Sequence, residues 1–206
     1  MIPRLHVVAT DAVVSCDGFP ALAAGLQEAC GGELALHLRA RELTSRRLFE
    51  LAASLSARAR QRGGWCAVNE RVDVALAAGA QAVQLGRGAL PVREARRLLR
   101  AGTAIGASVH DPAEALDARE AGANYLVVGT IYPSASHPGR EASGPALLDR
   151  CRTAGLPMVA IGGIDRDRVE EVVRAGAVGV AVIRAVWSAA DPVTAARQLL
   201  NVLLEA

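Results

Sequence analysis

Short continuous runs of apolar residues alternate along this chain with longer segments of helical periodicity. Eight runs occur, at residues 5–9, 34–38, 65–68, 82–85, 104–107, 125–128, 158–161 and 179–183. Continuous rather than alternating apolar residues are typical of strands buried on both faces of a parallel sheet. The segments between the runs predict amphipathic helices at 19–29, 45–62, 71–78, 91–100, 112–121, 145–154, 166–175 and 192–205.

Several of these helices carry sequence signals for their ends. Asp111-Pro112 and Asp191-Pro192 place an N-cap before a proline at the first helical position. We expect four glycines to close helices as C-caps, namely Gly102, Gly122, Gly155 and Gly176.

Eight strand–helix units in strict alternation predict an α/β fold, a single-domain (β/α)8 TIM barrel over residues 1–206. A doubly wound open sheet is the alternative architecture. No linker or low-complexity segment indicates a second domain, and 206 residues with 51% hydrophobic content are enough to bury a large core.

Composition excludes several classes of function. The net charge is +2 and no basic block is interleaved with aromatics, which argues against a nucleic-acid partner. No apolar run reaches the length of a membrane span, so we expect no membrane partner and a cytoplasmic protein. The cysteines are far apart without a CxxC pair, which predicts free thiols rather than a zinc site: Cys16, Cys30, Cys66 and Cys151.

The last two predicted strands end in small or backbone-exposing residues. Gly162-Gly163 follows the seventh strand, and Ile183-Arg184 marks the end of the eighth. In a (β/α)8 barrel the loops after these strands commonly hold a phosphate, because glycines let it approach bare backbone N–H groups. The alternative for Gly162-Gly163 is a tight turn that needs glycine only for a positive φ.

Polar residues also follow the other strands, where the rim of a barrel carries its active site. Each one alone could be explained by packing or by solvent, but their convergence predicts a site for a small anionic ligand. His6 lies too near the start of the first strand to reach this rim, so we expect it to be structural. The rim residues are Thr10, Asp11, His37, Arg39, Arg41, Asn69, Glu70, Gln84, Ser108, His110, Thr130, Tyr132, Gly162, Gly163 and Arg184.

The longest irregular stretch spans residues 133–144 and follows the sixth strand. Its small and polar residues on the catalytic face suggest a lid that closes over a ligand. An ordinary surface loop is the alternative.

Seven segments together resemble the thiamine phosphate synthase and thiazole tautomerase (TenI) superfamily over essentially the whole chain. They are HLRAR at 37–41, VNERVDVA at 68–75, VQLG at 83–86, GASVH at 106–110, VGTIYP at 128–133, AIGGI at 160–164 and GVAVI at 179–183. The resemblance implies a barrel that binds hydroxyethylthiazole phosphate, its carboxylated precursor or thiamine phosphate.

The chain departs from the synthase pattern where that pattern handles Mg²⁺ and pyrophosphate. Glu70 replaces an aspartate, and Arg87-Gly88-Ala89 replaces Gln-Glu-Asp, so the second metal carboxylate is missing. In the loop after strand six, His137 stands where the synthase has a lysine. We therefore expect no metal and no cofactor, with Mg²⁺ needed only if the chain is a synthase.

These departures favour a metal-independent, tautomerase-like isomerase, with thiamine phosphate synthase as the alternative enzyme. A tautomerase needs an acid/base group beside the ring. The family has a histidine for this purpose, and this chain has Thr130 at that position. The remaining candidates are His137 as the proton shuttle and His110, for which a structural hydrogen bond is the alternative role. A non-catalytic paralogue that binds thiamine phosphates is the third hypothesis.

The resemblance also implies which residues hold the ligand, a small phosphorylated heterocycle, and it leaves a homodimer open. The expected substrate-binding residues are His37, Arg39, Arg41, Asn69, Glu70, Gln84, Ser108 and Thr130. The expected phosphate-binding residues are Gly162, Gly163, Ile183 and Arg184.

Overall fold

The structure is a computed structural model that describes residues 1–134 and 142–206. Parallel strands close into a barrel in the order β1 to β8, as the sequence predicts. Leu5 pairs with Leu34 of β2 and with Val180 of β8, so β1 joins the last strand to the second. The strands are β1 Leu5–Thr10, β2 Leu34–Arg39, β3 Trp65–Asn69, β4 Ala82–Leu85, β5 Ala104–Val109, β6 Tyr125–Val128, β7 Met158–Ile161 and β8 Gly179–Val182.

Helices surround the barrel and cover its outer face. In the described ranges the α-helices are α1 Asp11–Val14, α2 Phe19–Cys30, α3 Ser45–Arg62, α4 Val72–Ala78, α5 Val92–Leu98, α6 Pro112–Glu120, α7 Ala146–Cys151, α8 Val169–Arg174, α9 Arg184–Trp187 and α10 Pro192–Glu205. Short 3-10 turns follow α2 and α7 and precede α8, at Gly31–Glu33, Arg152–Ala154 and Arg166–Arg168. The two short helices α1 and α9 follow β1 and β8 directly and have no periodic pattern long enough to predict.

Both predicted proline starts are capped as expected. The Asp111 carboxylate accepts from the Glu114 amide at 2.8 Å, and the Asp191 carboxylate accepts from two amides of the first turn of α10. Gly122, Gly155 and Gly176 adopt the positive φ of residues that end a helix.

The expectation for Gly102 is wrong. Helix α5 ends at Leu98, two residues before the predicted end, and Gly102 is not in the left-handed region. The cause is Leu99, which takes an extended conformation with ψ of 150° and is only 7% exposed. Burying this side chain turns the backbone out of the helix before a glycine is needed.

The main apolar core lies between the barrel and its helices, where Leu, Val and Ala predominate. A smaller cluster fills the barrel itself, formed by Tyr125, Val127, Val159 and Ala181. Buried polar side chains lie beside that cluster, namely His6, His37 and Gln84. The barrel interior is therefore partly polar below the rim.

The four cysteines are free thiols, and three of them are buried. Burial raises the pKa of the Cys66 thiol to about 12, which keeps it protonated and unreactive. No helix in the described ranges is long and apolar enough to cross a membrane.

Gly106 in β5 provides a test of packing inside the barrel. A Cβ atom at this position would overlap Gln84 Oε1 and the Tyr125 ring, both of which are buried. We expect Gly106→Ala to lower the free energy of unfolding by about 1–3 kcal/mol, as overpacked cores do, measured by urea denaturation. Gly102→Ala is the control, because a Cβ there meets nothing within 4 Å. Equal stability of the two variants would contradict this account.

Candidate active site

A cavity of about 560 Å³ opens at the carboxyl ends of the strands, and every strand contributes to its lining. Three of the expected rim residues, Thr10, Asp11 and Tyr132, do not line it. The expected substrate-binding and phosphate-binding residues all do, together with His110: His37, Arg39, Arg41, Asn69, Glu70, Gln84, Ser108, Thr130, Gly162, Gly163, Ile183 and Arg184. His137 and most of the expected lid, residues 135–141, lie outside the described residues. The roles of these residues stay predictions, but the structure brings them to one cavity.

Arg41 and Glu70 form a paired charge at the ends of β2 and β3. Arg41 Nε donates to Glu70 Oε2 at 2.9 Å and Arg41 Nη2 to Oε1 at 2.5 Å. Hydrogen bonding to Glu70 raises the pKa of Arg41. The Asp11 carboxylate holds this loop by accepting from the amides of Arg41 and Glu42. Asp11 was expected at the rim itself, but it supports the Arg41 backbone instead.

Glu70 holds its carboxylate in the cavity through an unusual backbone conformation. Its φ is +66°, which non-glycine residues seldom adopt. Its amide donates to the Gln84 carbonyl of β4 at 2.9 Å, so the chain turns inward directly after β3. Residues strained in this way concentrate at functional sites, where surrounding contacts hold them.

Gln84 and Ser108 form a neutral pair on the neighbouring strands β4 and β5. Gln84 Nε2 donates to Ser108 Oγ at 3.0 Å. Because a hydroxyl has one proton of its own, Ser108 can still donate into the cavity. Gln84 Oε1 is buried without a partner in the described residues, on the side of Tyr125.

His37 lies deeper, between the cavity and the centre of the barrel. Its Nε2 is 2.8 Å from His6 Nδ1, and its Nδ1 is 3.3 Å from Asn69 Oδ1. Burial lowers the pKa of His37 to about 4, so the ring is neutral at physiological pH. His6 is structural, as expected, but it contacts a residue that lines the cavity.

His110 is held at the rim by Glu114 of α6. Its Nδ1 lies 2.9 Å from Glu114 Oε2, and its amide donates to the same oxygen at 2.7 Å. Arg87 donates to the other oxygen of this carboxylate. Burial raises the pKa of Glu114, but the hydrogen bonds from His110 and Arg87 outweigh that effect and hold the pKa below its usual value.

The two predicted phosphate turns lie side by side after β7 and β8. Gly162 and Gly163 have φ of +108° and +61°. A Cβ on Gly163 would come within 2.6 Å of the Pro133 carbonyl oxygen, so the loop after β6 packs directly against this turn. Beside it, Ile183 leads into α9. Adjacent turns of this kind suit a phosphate group.

Arg168 is a cavity residue that the sequence did not indicate, because its position resembles the exposed face of a helix. Its guanidinium stacks over the Tyr132 ring at 4.6 Å and donates to the Gly163 carbonyl. Tyr132 in turn donates to Glu171 at 2.5 Å, and burial with this acceptor raises the Tyr132 pKa to about 12. Tyr132 does not line the cavity but supports the turn beneath it.

Comparison with known proteins gives the family. A family model described as thiamine monophosphate synthase matches residues 11–186, which is most of the chain. The chain belongs to the thiamine monophosphate synthase family. The solved thiamine phosphate pyrophosphorylase from Pyrococcus furiosus is 33% identical, with a TM-score of 0.85 over 98% of this chain and 96% of that one.

Relatives in the family carry the synthase name. Thiamine-phosphate synthases from a Mycobacterium species and from Chlorobium limicola are 44% and 40% identical, over 75% and 84% of this chain and 70% and 83% of theirs. A thiamine biosynthesis bifunctional protein from Symbiobacterium thermophilum is 46% identical over 74% of this chain. The match spans only 32% of that longer relative. These names support the alternative of the sequence analysis, a synthase, better than its leading hypothesis of a tautomerase.

The cavity of this chain is rich in guanidinium groups. The sequence contains no lysine, so all 23 basic residues are arginines. Among residues 1–134 and 142–206, five arginines and two carboxylates, Glu70 and Asp165, line the cavity; the arginines are Arg39, Arg41, Arg87, Arg168 and Arg184. No group of three or more His, Cys, Asp or Glu in the described ranges is arranged to hold a metal ion. The electrostatic field of the cavity therefore favours an anionic ligand.

Gly163 tests the predicted phosphate turn. We expect Gly163→Ala to weaken binding of hydroxyethylthiazole phosphate at least about tenfold in calorimetry, because the added methyl displaces the turn and its N–H donors. Affinity for the dephosphorylated thiazole should not change.

Gly155→Ala is the matched control. Its φ of +65° imposes similar backbone strain, but a Cβ there meets nothing within 4 Å. Unchanged phosphate affinity in Gly163→Ala would reject this turn as the phosphate site.

Proposed function

We propose that this protein is a thiamine-phosphate synthase, which joins a pyrimidine diphosphate to hydroxyethylthiazole phosphate. In this reaction the thiazole nitrogen attacks the methylene carbon of the pyrimidine, the bond from that carbon to the diphosphate oxygen breaks, and pyrophosphate leaves. The observation that carries the proposal is one cavity with arginines on one side and the turns after β7 and β8 on the other, in a chain 40–44% identical to two relatives of that name.

The two sides suit the two reactants. The turns after β7 and β8 offer backbone N–H groups for the single phosphate of the thiazole. The arginines after β2 and β4 lie across the barrel and suit the diphosphate. The reacting atoms would then meet above the apolar floor formed by Val127, Ile161 and Ala181, which keeps water from the reacting carbon.

Arg41 is suited to bind the departing diphosphate while it stays paired with Glu70. A guanidinium has five N–H donors, and the contacts to Glu70 use Nε and Nη2. The remaining donors can reach a second anion. Arg39 lines the same side of the cavity. Guanidinium groups stabilise the negative charge that develops on a leaving group. The departure of the diphosphate then depends less on other cations.

The cavity supplies one of the two carboxylates that would hold a Mg²⁺ ion. Mg²⁺ in phosphate chemistry is held by one or two carboxylates together with phosphate oxygens and water. Glu70 supplies one carboxylate inside the cavity, and Ala89 cannot supply the second that the family pattern contains. When bound, the ion would neutralise charge on the diphosphate.

Thr130 is compatible with this reaction. A displacement of diphosphate by a ring nitrogen requires no general base. A synthase therefore does not need a histidine at position 130. A tautomerase would lose its proton shuttle at the same position.

Tautomerase activity is the second candidate, supported by two observations. Ala89 cannot ligate a metal, and His110 is held at the cavity by Glu114 in a fixed orientation. A positioned histidine suits proton transfer to a carboxythiazole phosphate.

Purified protein incubated with both synthase substrates and Mg²⁺ should form thiamine phosphate and pyrophosphate. We expect Glu70→Gln to lower kcat at least about tenfold, because it removes the cavity carboxylate and weakens the hold on Arg41. Glu94→Gln on α5 is the control, since Glu94 pairs with exposed Arg97 outside the cavity. Ligand binding without any product would instead support the non-catalytic paralogue.

The tautomerase candidate is tested in the same preparation with carboxythiazole phosphate alone. If it is correct, His110→Asn should lower isomerisation about a hundredfold, the usual contribution of a positioned acid/base, while condensation continues. Proton exchange and product are followed by NMR. No isomerisation by the unmodified protein would eliminate this candidate.

A further inference from the structure

Three side chains form a continuous polar column from the bottom of the barrel to the cavity. His6 Nε2 lies 3.0 Å from the Pro3 carbonyl oxygen, and His6 Nδ1 lies 2.8 Å from His37 Nε2. His37 Nδ1 then lies 3.3 Å from Asn69 Oδ1. Both rings are buried, with exposures of 0% and 2%, whereas Asn69 lines the cavity.

The number of protons in the column decides which way Asn69 faces. The Pro3 carbonyl only accepts, so His6 Nε2 must carry a proton. A neutral His6 then has a bare Nδ1, which must accept from His37 Nε2–H. A neutral His37 consequently has a bare Nδ1 towards Asn69. In the part of the chain that the structure describes, the Asn69 carboxamide is the group beside that nitrogen, and its N–H is the end that can donate to it.

The alternative needs one more proton. If the Asn69 carbonyl oxygen faced His37, the three contacts would require three ring N–H groups, and two neutral imidazoles have two. One ring would then be a buried imidazolium. Burial in an interior of this kind lowers the pKa of both histidines, that of His6 well below its usual value. The His6 ring also packs 5.5 Å from the Tyr125 ring, which does not neutralise a cation as a carboxylate would.

We propose that His6 and His37 are positioning residues, which hold the Asn69 carboxamide with its N–H on His37 and its carbonyl oxygen towards the ligand. This orientation exchanges the Asn69 oxygen and nitrogen relative to the contact in the structure, where Oδ1 faces His37. The two ends of a carboxamide are distinguished by the hydrogen bonds they make, and here the proton count of the column determines them. Asn69 therefore presents an acceptor, and it selects a ligand that carries an N–H donor at this point.

On the proposed function, the donor is the amino group of the pyrimidine. Asn69 ends β3, four strands from β7 in the closed barrel, so it lies across the cavity from the predicted phosphate turns. The carbonyl oxygen would repel a phosphate, which leaves the diphosphate to the arginines above it. Asn69 thus recognises the amino group in an orientation that His37 and His6 determine, although His6 does not line the cavity.

The tautomers are measured directly, without ligand or turnover, by NMR of protein with ¹⁵N-labelled histidine at neutral pH. We expect both His6 and His37 to be neutral and protonated at Nε2. An imidazolium at either position, or a proton on His37 Nδ1, would overturn the proposal.

Ligand selection is tested by binding of aminopyrimidine diphosphate and of its analogue with hydrogen in place of the amino group. The unmodified protein should prefer the amino compound about tenfold or more, since a site built for a donor rejects the analogue that lacks one. His6→Leu removes the acceptor for His37 Nε2–H and frees the tautomer, so the preference should fall towards one.

His6→Gln is the rescue variant. Its side chain also carries an acceptor and a donor, so it can accept from His37 and donate to the Pro3 carbonyl, and it should retain the preference. Ser56→Ala, which removes a buried hydroxyl outside the barrel, controls for general loosening of the fold. An unchanged preference in a folded His6→Leu would overturn the proposal even if synthase activity is found. Absence of synthase activity with the expected tautomers and preference would overturn only the proposed function.

Discussion

Closure of the barrel through the pairing of β1 with β8 is the constraint on which the rest of the structure depends. It brings eight strand ends to one rim, so residues far apart in the chain share a cavity. Continuous burial of the strands stabilises this closure, because apolar side chains face both the barrel interior and the surrounding helices. Small residues such as Gly106 then leave room for the few polar side chains inside.

The polar side chains inside the barrel orient the polar side chains that line the cavity. Gln84 reaches Ser108, and His37 reaches Asn69, so the side chains that face the ligand are oriented by neighbours beneath them. A buried polar group without a partner is costly, and this cost limits how each group can turn. The floor of the cavity is consequently preorganised before any ligand arrives.

The charged residues lie at the rim, above the polar side chains of the barrel interior. The arginines of the rim supply a positive field, and one of them, Arg41, is paired with Glu70 through two hydrogen bonds. The contact is largely exposed to solvent, with Arg41 at 61%, so its main consequence is geometry rather than stability. Arg168 fulfils a similar geometric role at the opposite side, where it links Tyr132 to the Gly162-Gly163 turn.

The sequence by itself determined the barrel, the strand positions, most helix ends and the family, because hydrophobic periodicity, caps and short motifs are local properties of the chain. It also placed most of the rim residues in one cavity, since parallel strands end on the same side; Thr10, Asp11 and Tyr132 are the exceptions. It missed the early end of α5, where burial of Leu99 prevails over the glycine signal at Gly102. The contacts from Arg41 to Glu70, from Arg168 to Tyr132 and from His6 to His37 were decided only by the tertiary structure. Each joins residues 29 to 36 positions apart, and their distances depend on how neighbouring strand–helix units are placed once the barrel has closed.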